Sequence, residues 1–325
     1  MIGYIFRRIV YGFFILLGVN ALTFALFFAV NTPDDMARLS IGGRYVTQQA
    51  IDSWKKERGY DVPLIFNSAA EGTGKFTETI FFRRSAPLLA GDFGLSDTDR
   101  SINTEIKERA PASLALALPT FLLGVFVSVS FALILVMVRR TRLEWAGVAM
   151  SVTVMSISAL FYIIVGQWLF SKTLRWVPVS GFSEGFAMAA FLVLPVAIGV
   201  FTRLGGEALL YRSMFLEESE KDYVRTARAK GVSEMRVLFR HVLGNAMLPV
   251  ITSTVAVIPM LFMGSLIMEN FFGIPGLGSY TIDAINAQDF SVVRAMVFLG
   301  TAAYILGLIL TDVAYTVVDP RIRLK

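Results

Sequence analysis

Six stretches of the chain stay apolar long enough to cross a bilayer, and polar, turn-forming or basic residues separate them. About 20 helical residues cover the roughly 30 Å hydrocarbon core. The first stretch is Ile9 to Val30, closed by Asn31-Thr32-Pro33-Asp34-Asp35, a run of turn and breaker residues. The second is Ala112 to Val138, stopped by Arg139-Arg140-Thr141-Arg142. The third is Trp145 to Phe170. The fourth begins near Phe186 and passes Pro195; Arg203 follows, and helical spacing continues from Leu204 to Met214. The fifth is Met247 to Met268, with Pro249 near its start and Pro259 inside it. The sixth is Val292 to Val317 and contains Asp312. The pattern predicts an all-α polytopic membrane protein with six transmembrane helices.

The connections are unequal. Residues 31–111 form a long segment of near-balanced charge, expected to be a loop domain with short helices at Gln48 to Arg58 and Ile102 to Arg109, and Pro111 opens the second span. The domain boundaries expected are therefore 1–30, 31–111 and 112–325, the last with a polar loop at 203–246. Tyr280 to Phe290 reads as a short amphipathic helix. Gly72-Thr73-Gly74-Lys75 superficially resembles a phosphate-binding loop. A Walker A motif needs Gly where Ala69 stands and Ser or Thr where Phe76 stands, so no nucleotide site is predicted.

Composition agrees with the pattern. The chain is 55% hydrophobic with a mean hydropathy of +0.63, above the range of ordinary soluble domains. The net charge is +5, but the basic residues sit mostly in connections, which is an orientation signal rather than a nucleic-acid footprint. Arg7 and Arg8, Arg139 to Arg142, the basic loop after Arg203, and Arg321, Arg323 and Lys325 would share one side. Both termini are thus expected in the cytoplasm, with Ile9 to Val30 a retained helix. No cysteine is present and His241 is the single histidine, which excludes disulfides, thiolate metal sites and histidine clusters. Mid-span charges look nearly absent, which argues against an ion-coupled secondary transporter or a channel. No nucleophile–base pair is spaced for an intramembrane enzyme.

The segment from Lys221 to Val250 is basic, helically spaced and set between two apolar spans. Such a helix could lie on a membrane surface, be a solvated connection, or dock a soluble partner. Its residues Asp222-Tyr223-Val224-Arg225-Thr226-Ala227-Arg228-Ala229-Lys230-Gly231 resemble the cytoplasmic loop of permease subunits of ATP-binding-cassette (ABC) importers for dipeptides and oligopeptides. Arg225-Thr226-Ala227 stands where that loop generally has E-A-A, with Gly231 at the matching spacing. Further stretches resemble the same family: Gly59-Tyr60-Asp61-Val62-Pro63-Leu64, Gly91-Asp92-Phe93-Gly94-Leu95-Ser96, Leu174 to Gly181, and Glu269-Asn270-Phe271-Phe272-Gly273-Ile274-Pro275-Gly276-Leu277-Gly278. So does the ending, Asp312, Tyr315, Asp319-Pro320-Arg321-Ile322-Arg323. The opening and the ending are similar to the first of the two permeases in such importers. Residues 67–81 have no counterpart.

The resemblance implies the type I ABC importer fold with an extracytoplasmic loop domain after the first helix. It implies a bacterial inner-membrane location, a second homologous permease, two ATPase subunits and a substrate-binding protein. This chain would hold no cofactor; ATP and Mg would bind the ATPases. Asp222, Tyr223, Arg225, Thr226, Ala227, Arg228, Ala229 and Gly231 would couple to an ATPase, with Ala227 and Ala229 giving a smooth surface and the arginines a rim. Glu269, Phe272, Pro275, Gly276 and Gly278 would form an outer-face turn, in which Glu269 either contacts a gate or substrate or anchors the turn. Asp312, Asp319 and Arg321 would form a charge group at the inner end. Ser151, Thr153, Ser156 and Ser158 either pack helices together or line a polar path, and Pro259 is either a hinge or a static kink. The cargo would be a peptide or another small solute such as nickel, glutathione or an antimicrobial peptide.

Overall fold

The computed structural model describes residues 2–30, 32–42, 46–183, 185–255 and 257–318, and every described element is helical apart from one isolated bridge between Leu95 and Ser101. The α-helices are α1 Ile2–Val30, α2 Pro33–Ile41, α3 Gln48–Glu57, α4 Gly74–Thr77, α5 Ile80–Leu89, α6 Ile102–Met137, α7 Arg142–Ser156, α8 Ala159–Gly166, α9 Met188–Ser219, α10 Asp222–Ala229, α11 Glu234–Arg236, α12 Gly244–Val255, α13 Leu266–Phe272, α14 Leu277–Asn286 and α15 Phe290–Val318. Among the described residues five helical runs are long and apolar enough to cross a membrane, and the bent pair α7/α8 makes a sixth if counted as one span.

Several elements differ from the expectation. The third span is broken: α7 and the run Ala159–Thr173 meet at 92°. Ile157 is extended, and the Ser158 hydroxyl accepts the Leu160 N–H and starts α8. The fifth span does not run through to Met268. Its helical run ends with a 3-10 segment, Ile258–Met263, which Pro259 opens, and Gly264 at φ +69° separates that segment from α13. In contrast, α6 starts at Ile102 and runs straight through Pro111. The fourth span and its continuation are one unbroken helix, α9, so Arg203 lies inside it. Thr32 does not simply end α1; with Asp35 it forms a capping box that starts α2.

Contacts divide the chain into two compact units, 1–108 with 281–305, and 109–280 with 306–325. In the first, Phe24 packs edge-on against Phe81 at 5.1 Å, and Phe27 against Phe290 at 5.0 Å. Trp54 and Tyr60 stack at 5.5 Å, with Arg58 over the Trp54 ring and Arg84 over the Tyr60 ring. Asp289 caps α15 through Val292 N–H and also accepts Asp97 N–H at 2.8 Å. One strip of loop and one helix start thus share a carboxylate.

In the second unit α7 packs along α9 so closely that Gly205 faces the Ser151 carbonyl with no room for a Cβ. Thr153 and Ser156 are exposed, and their hydroxyls donate to carbonyls of their own helix, Ala149 and Val152. Two apolar clusters anchor this unit. One gathers Ala112, Leu116, Ile163, Leu192, Met268, Phe272 and Ile274; the other lies beneath α10.

Candidate functional site

Lys221 turns the chain out of α9, and Gly231 at φ +77°, a conformation that L side chains rarely adopt, ends the turn that follows α10. Within α10 the buried side chains are Val224 and Ala227. Spaced three apart, they share one helix face. They enter a cluster with Ala132 and Leu133 of α6, Tyr211 and Phe215 of α9, and Val237, Leu238 and Val242 of a π-helical segment that leads into α12. This corrects the expected smooth surface of Ala227 and Ala229: Ala227 is 7% exposed and belongs to the core, while Ala229 is at the surface. The outward stripe is Asp222, Arg225, Thr226 and Ala229, at the i, i+3, i+4, i+7 spacing of one helix face.

The remaining expected coupling residues brace the helix. The Tyr223 hydroxyl donates to Glu218 and accepts from Asn245 Nδ2 at 2.9 Å. Burial, then the Glu218 contact, pushes its phenol up to about 12. Arg228 holds both oxygens of Glu234, at 2.9 and 3.3 Å, and donates to the Ser219 carbonyl at 3.3 Å. It is therefore a strut across the α10–α11 turn rather than a free rim charge.

The second constellation surrounds Glu269 on α13, whose side chain is fully buried. Its Oε1 accepts from Ser113 Oγ at 2.8 Å and Ser265 N–H at 3.1 Å, and its Oε2 from Ser279 N–H at 3.0 Å. Ser113 Oγ accepts the Leu277 N–H at 2.7 Å, so its own proton is directed to the carboxylate. Burial pushes the Glu269 carboxyl up from the ordinary range, and these donors offset only part of that rise. The glycines make room: a Cβ on Gly276 would overlap Glu269 Oε2 and Ser113 Oγ, and one on Gly264 would overlap Oε1.

Pro275 sits at the centre of a three-residue turn closed by Gly276 N–H to the Ile274 carbonyl at 2.8 Å. Phe272 is buried, and its carbonyl accepts Gly181 N–H at 2.7 Å. Gln167 Nε2 donates to both the Phe271 and Val179 carbonyls. The structure thus joins two stretches singled out separately, Leu174 to Gly181 and Glu269 to Gly278, and Glu269 anchors the turn. Of the third expected group, Asp312 lies in α15, and Asp319 and Arg321 fall outside the described residues.

The third feature was not foreseen. A cavity of about 450 Å³ is walled by α6, α8, α9, the 3-10 segment and α13, with Thr120, Thr202, Arg203 and Ser265 among apolar side chains. Arg203 is at the midpoint of α9 and pairs with Glu207 one turn on; Ser128 Oγ donates to Glu207 Oε2 at 3.1 Å. The sequence pattern puts Arg203 beyond the fourth span. An Arg and a Glu four apart, directly after the apolar run Met188 to Phe201, are the available signal.

Residues 112–324 match the family described as the binding-protein-dependent transport system inner membrane component, and residues 1–117 match its companion N-terminal family. The chain belongs to this family. It is an inner-membrane permease component of the ABC importer type, a transport subunit rather than a catalyst, and the all-α fold expected from its motifs stands. A protein of Brucella abortus, provisionally named a peptide transport system permease protein, is 30% identical over 99% of both chains. The oligopeptide transport system permease protein AppB of Bacillus subtilis is 28% identical over 99% of this permease and 100% of its own length. The glutathione transport system permease protein GsiC of Salmonella paratyphi A is 30% identical over 100% of both.

Proposed function

We propose that this permease forms half of the translocation pathway of an ATP-driven importer for peptides. A second, related permease supplies the other half. Two ATPase subunits bind ATP and Mg on the cytoplasmic side, and an extracytoplasmic binding protein delivers the solute. Both termini and α10 face the cytoplasm, in keeping with the basic residues at Arg7, Arg8, Arg139 and Arg140 and around α10. Residues 31–111 and the Glu269 turn face the other side.

The observation that carries this reading is the mounting of α10. A helix this short is marginal alone, yet it is pinned by Val224 and Ala227, by Tyr223 and by Arg228, and still presents Asp222, Arg225, Thr226 and Ala229 outward. Such a helix transmits force to α9 and α12 instead of bending under it. Closure of the ATPases on ATP would displace α10 and, through it, the helix bundle between its two states.

The chain has no cysteine, so a single Thr226→Cys or Ala229→Cys is unique. In membranes of the native host each should crosslink to an ATPase subunit, while the same change at Thr301, on α15, should not. Capture of no nucleotide-binding protein from either α10 position would sink the coupling role.

A further inference from the structure

We infer that Arg203 is a recognition residue inside the pathway, binding the carboxylate of a solute held in the 450 Å³ cavity of this chain. The inference deepens the importer reading above and rests on it.

The cavity has the size of small-molecule sites. Its position is set by interrupted helices. Ala159 follows the 92° break between α7 and α8, and Met260, Leu261 and Gly264 belong to the 3-10 segment and the break before α13; all of them line it. Irregular backbone within a membrane protein persists where protein buries it or where it borders a water-filled space, because lipid cannot satisfy its polar groups. Two separate interruptions meet at this one cavity, where water could reach their polar groups.

Within that space Arg203 is the charged lining residue. Its Nε and Nη2 both go to one oxygen of Glu207, Oε1, at 2.8 and 2.5 Å. Glu207 Oε2 is taken by Ser128. The Nη1 amino group makes no hydrogen bond among the described residues, so the guanidinium retains donors for a second acceptor. Glu207 and Ser128 lie behind it and do not line the cavity; they fix its direction and balance its charge before a solute arrives. The hydroxyls of Thr120 and Thr202, both on the cavity wall, are committed to their own helix backbone. A guanidinium with donors to spare, on a mostly apolar wall, fits a carboxylate better than an ammonium group.

The test uses the assembled complex in proteoliposomes with Thr202→Cys as the one thiol of this chain. It compares the labelling rates of an anionic sulfonatoethyl and a cationic trimethylammonioethyl thiosulfonate, each normalised to free thiol. The anionic-to-cationic ratio should fall about tenfold in Arg203→Gln and be retained in Arg203→Lys. Arg203→Gln/Glu207→Gln, which leaves no unpaired carboxylate, guards against misassembly and should show the same fall. In parallel, uptake of dialanine is compared with uptake of dialanine amide, with Arg203→Gln abolishing the preference for the free carboxylate. An unchanged labelling ratio, or a thiol at position 202 that never reacts, overturns the inference. Dialanine uptake indifferent to Arg203 overturns it while leaving the peptide reading intact. A charge-selective cavity in a complex that transports neither compound upholds the anion site and counts against peptide cargo.

Discussion

Ser113 and Glu269 offer the sharpest stability test, because one oxygen joins residues 156 positions apart in sequence. Ser113→Ala removes an O–H donor from a buried carboxylate, worth about 1.5–3 kcal/mol, and withdraws the acceptor from Leu277 N–H, about 1 kcal/mol more. The oxygen lost is small, so cavity cost adds little, and the total is about 2.5–4 kcal/mol. Glu269→Gln keeps the shape, but either orientation of the amide turns an NH₂ toward a backbone donor, Ser265 N–H or Ser279 N–H, so it should cost a similar amount. The assay is heat inactivation of the purified complex, followed by the fluorescence of the chain's four tryptophans. If the network is broken in the rate-limiting step, about 2.5 kcal/mol is roughly 70-fold in rate. Ser156→Ala, whose hydroxyl bonds only the Val152 carbonyl of its own helix, is the control and should change the rate less than about threefold. Equal rates for Ser113→Ala and Ser156→Ala, or a neutral Glu269→Gln, would refute the view that this carboxylate organises the turn.

Three further outcomes follow from the geometry. Ala227→Arg forces a charge into an apolar cluster, a cost of several kcal/mol that should abolish accumulation of the permease, whereas Ala229→Arg should leave accumulation unchanged and release the ATPase on co-purification. Arg228→Ala and Glu234→Ala, measured as a double-mutant cycle on thermal stability, should couple by less than about 1 kcal/mol, because both side chains are substantially exposed. The hydrogen bond from the Thr32 hydroxyl, then that from its backbone N–H, holds the Asp35 carboxyl below the usual carboxylate value. A depressed acid stabilises the fold above its unfolded pKa and loses that contribution as pH falls through the folded value. Amide protection in the first turn of α2 should therefore drop below about pH 4 in the wild type and be flat in Asp35→Asn.

Hydropathy made the membrane class and the approximate spans legible, since 20-residue apolar runs have few alternatives. It could not reveal the break at Ile157–Ser158, because apolar residues continue on both sides and a window average has no term for direction. Ser158, a helix-capping residue in mid-span, is the local clue, although a mid-span hydroxyl also fits helix packing or a polar path. The burial of Ala227 was available from its three-residue spacing to Val224, but small side chains carry too little hydrophobicity to declare a face. Motif spacing found the Glu269 turn yet could not name its partner, because Ser113 is brought to it only by tertiary structure.

Arg203 was overlooked for a related reason. A charge normally ends an apolar count, so the hydropathy pattern closes the fourth span there and puts Arg203 at the start of the polar loop 203–246. Yet a charge within a membrane helix costs up to about 2.5–3.5 kcal/mol in insertion, the figure for the bilayer centre, and Arg203 directly follows the apolar run of α9. Glu207 and Ser128 offset part of that cost, while adding two more polar groups to apolar helices. The same reasoning applies to the interrupted helices, because irregular backbone is unfavourable against lipid. Charge and broken helix are both unfavourable in hydrocarbon and both tolerable beside water, and here they border one cavity. The departures from an ideal apolar bundle therefore share one cause, a space inside the protein that must admit a polar molecule.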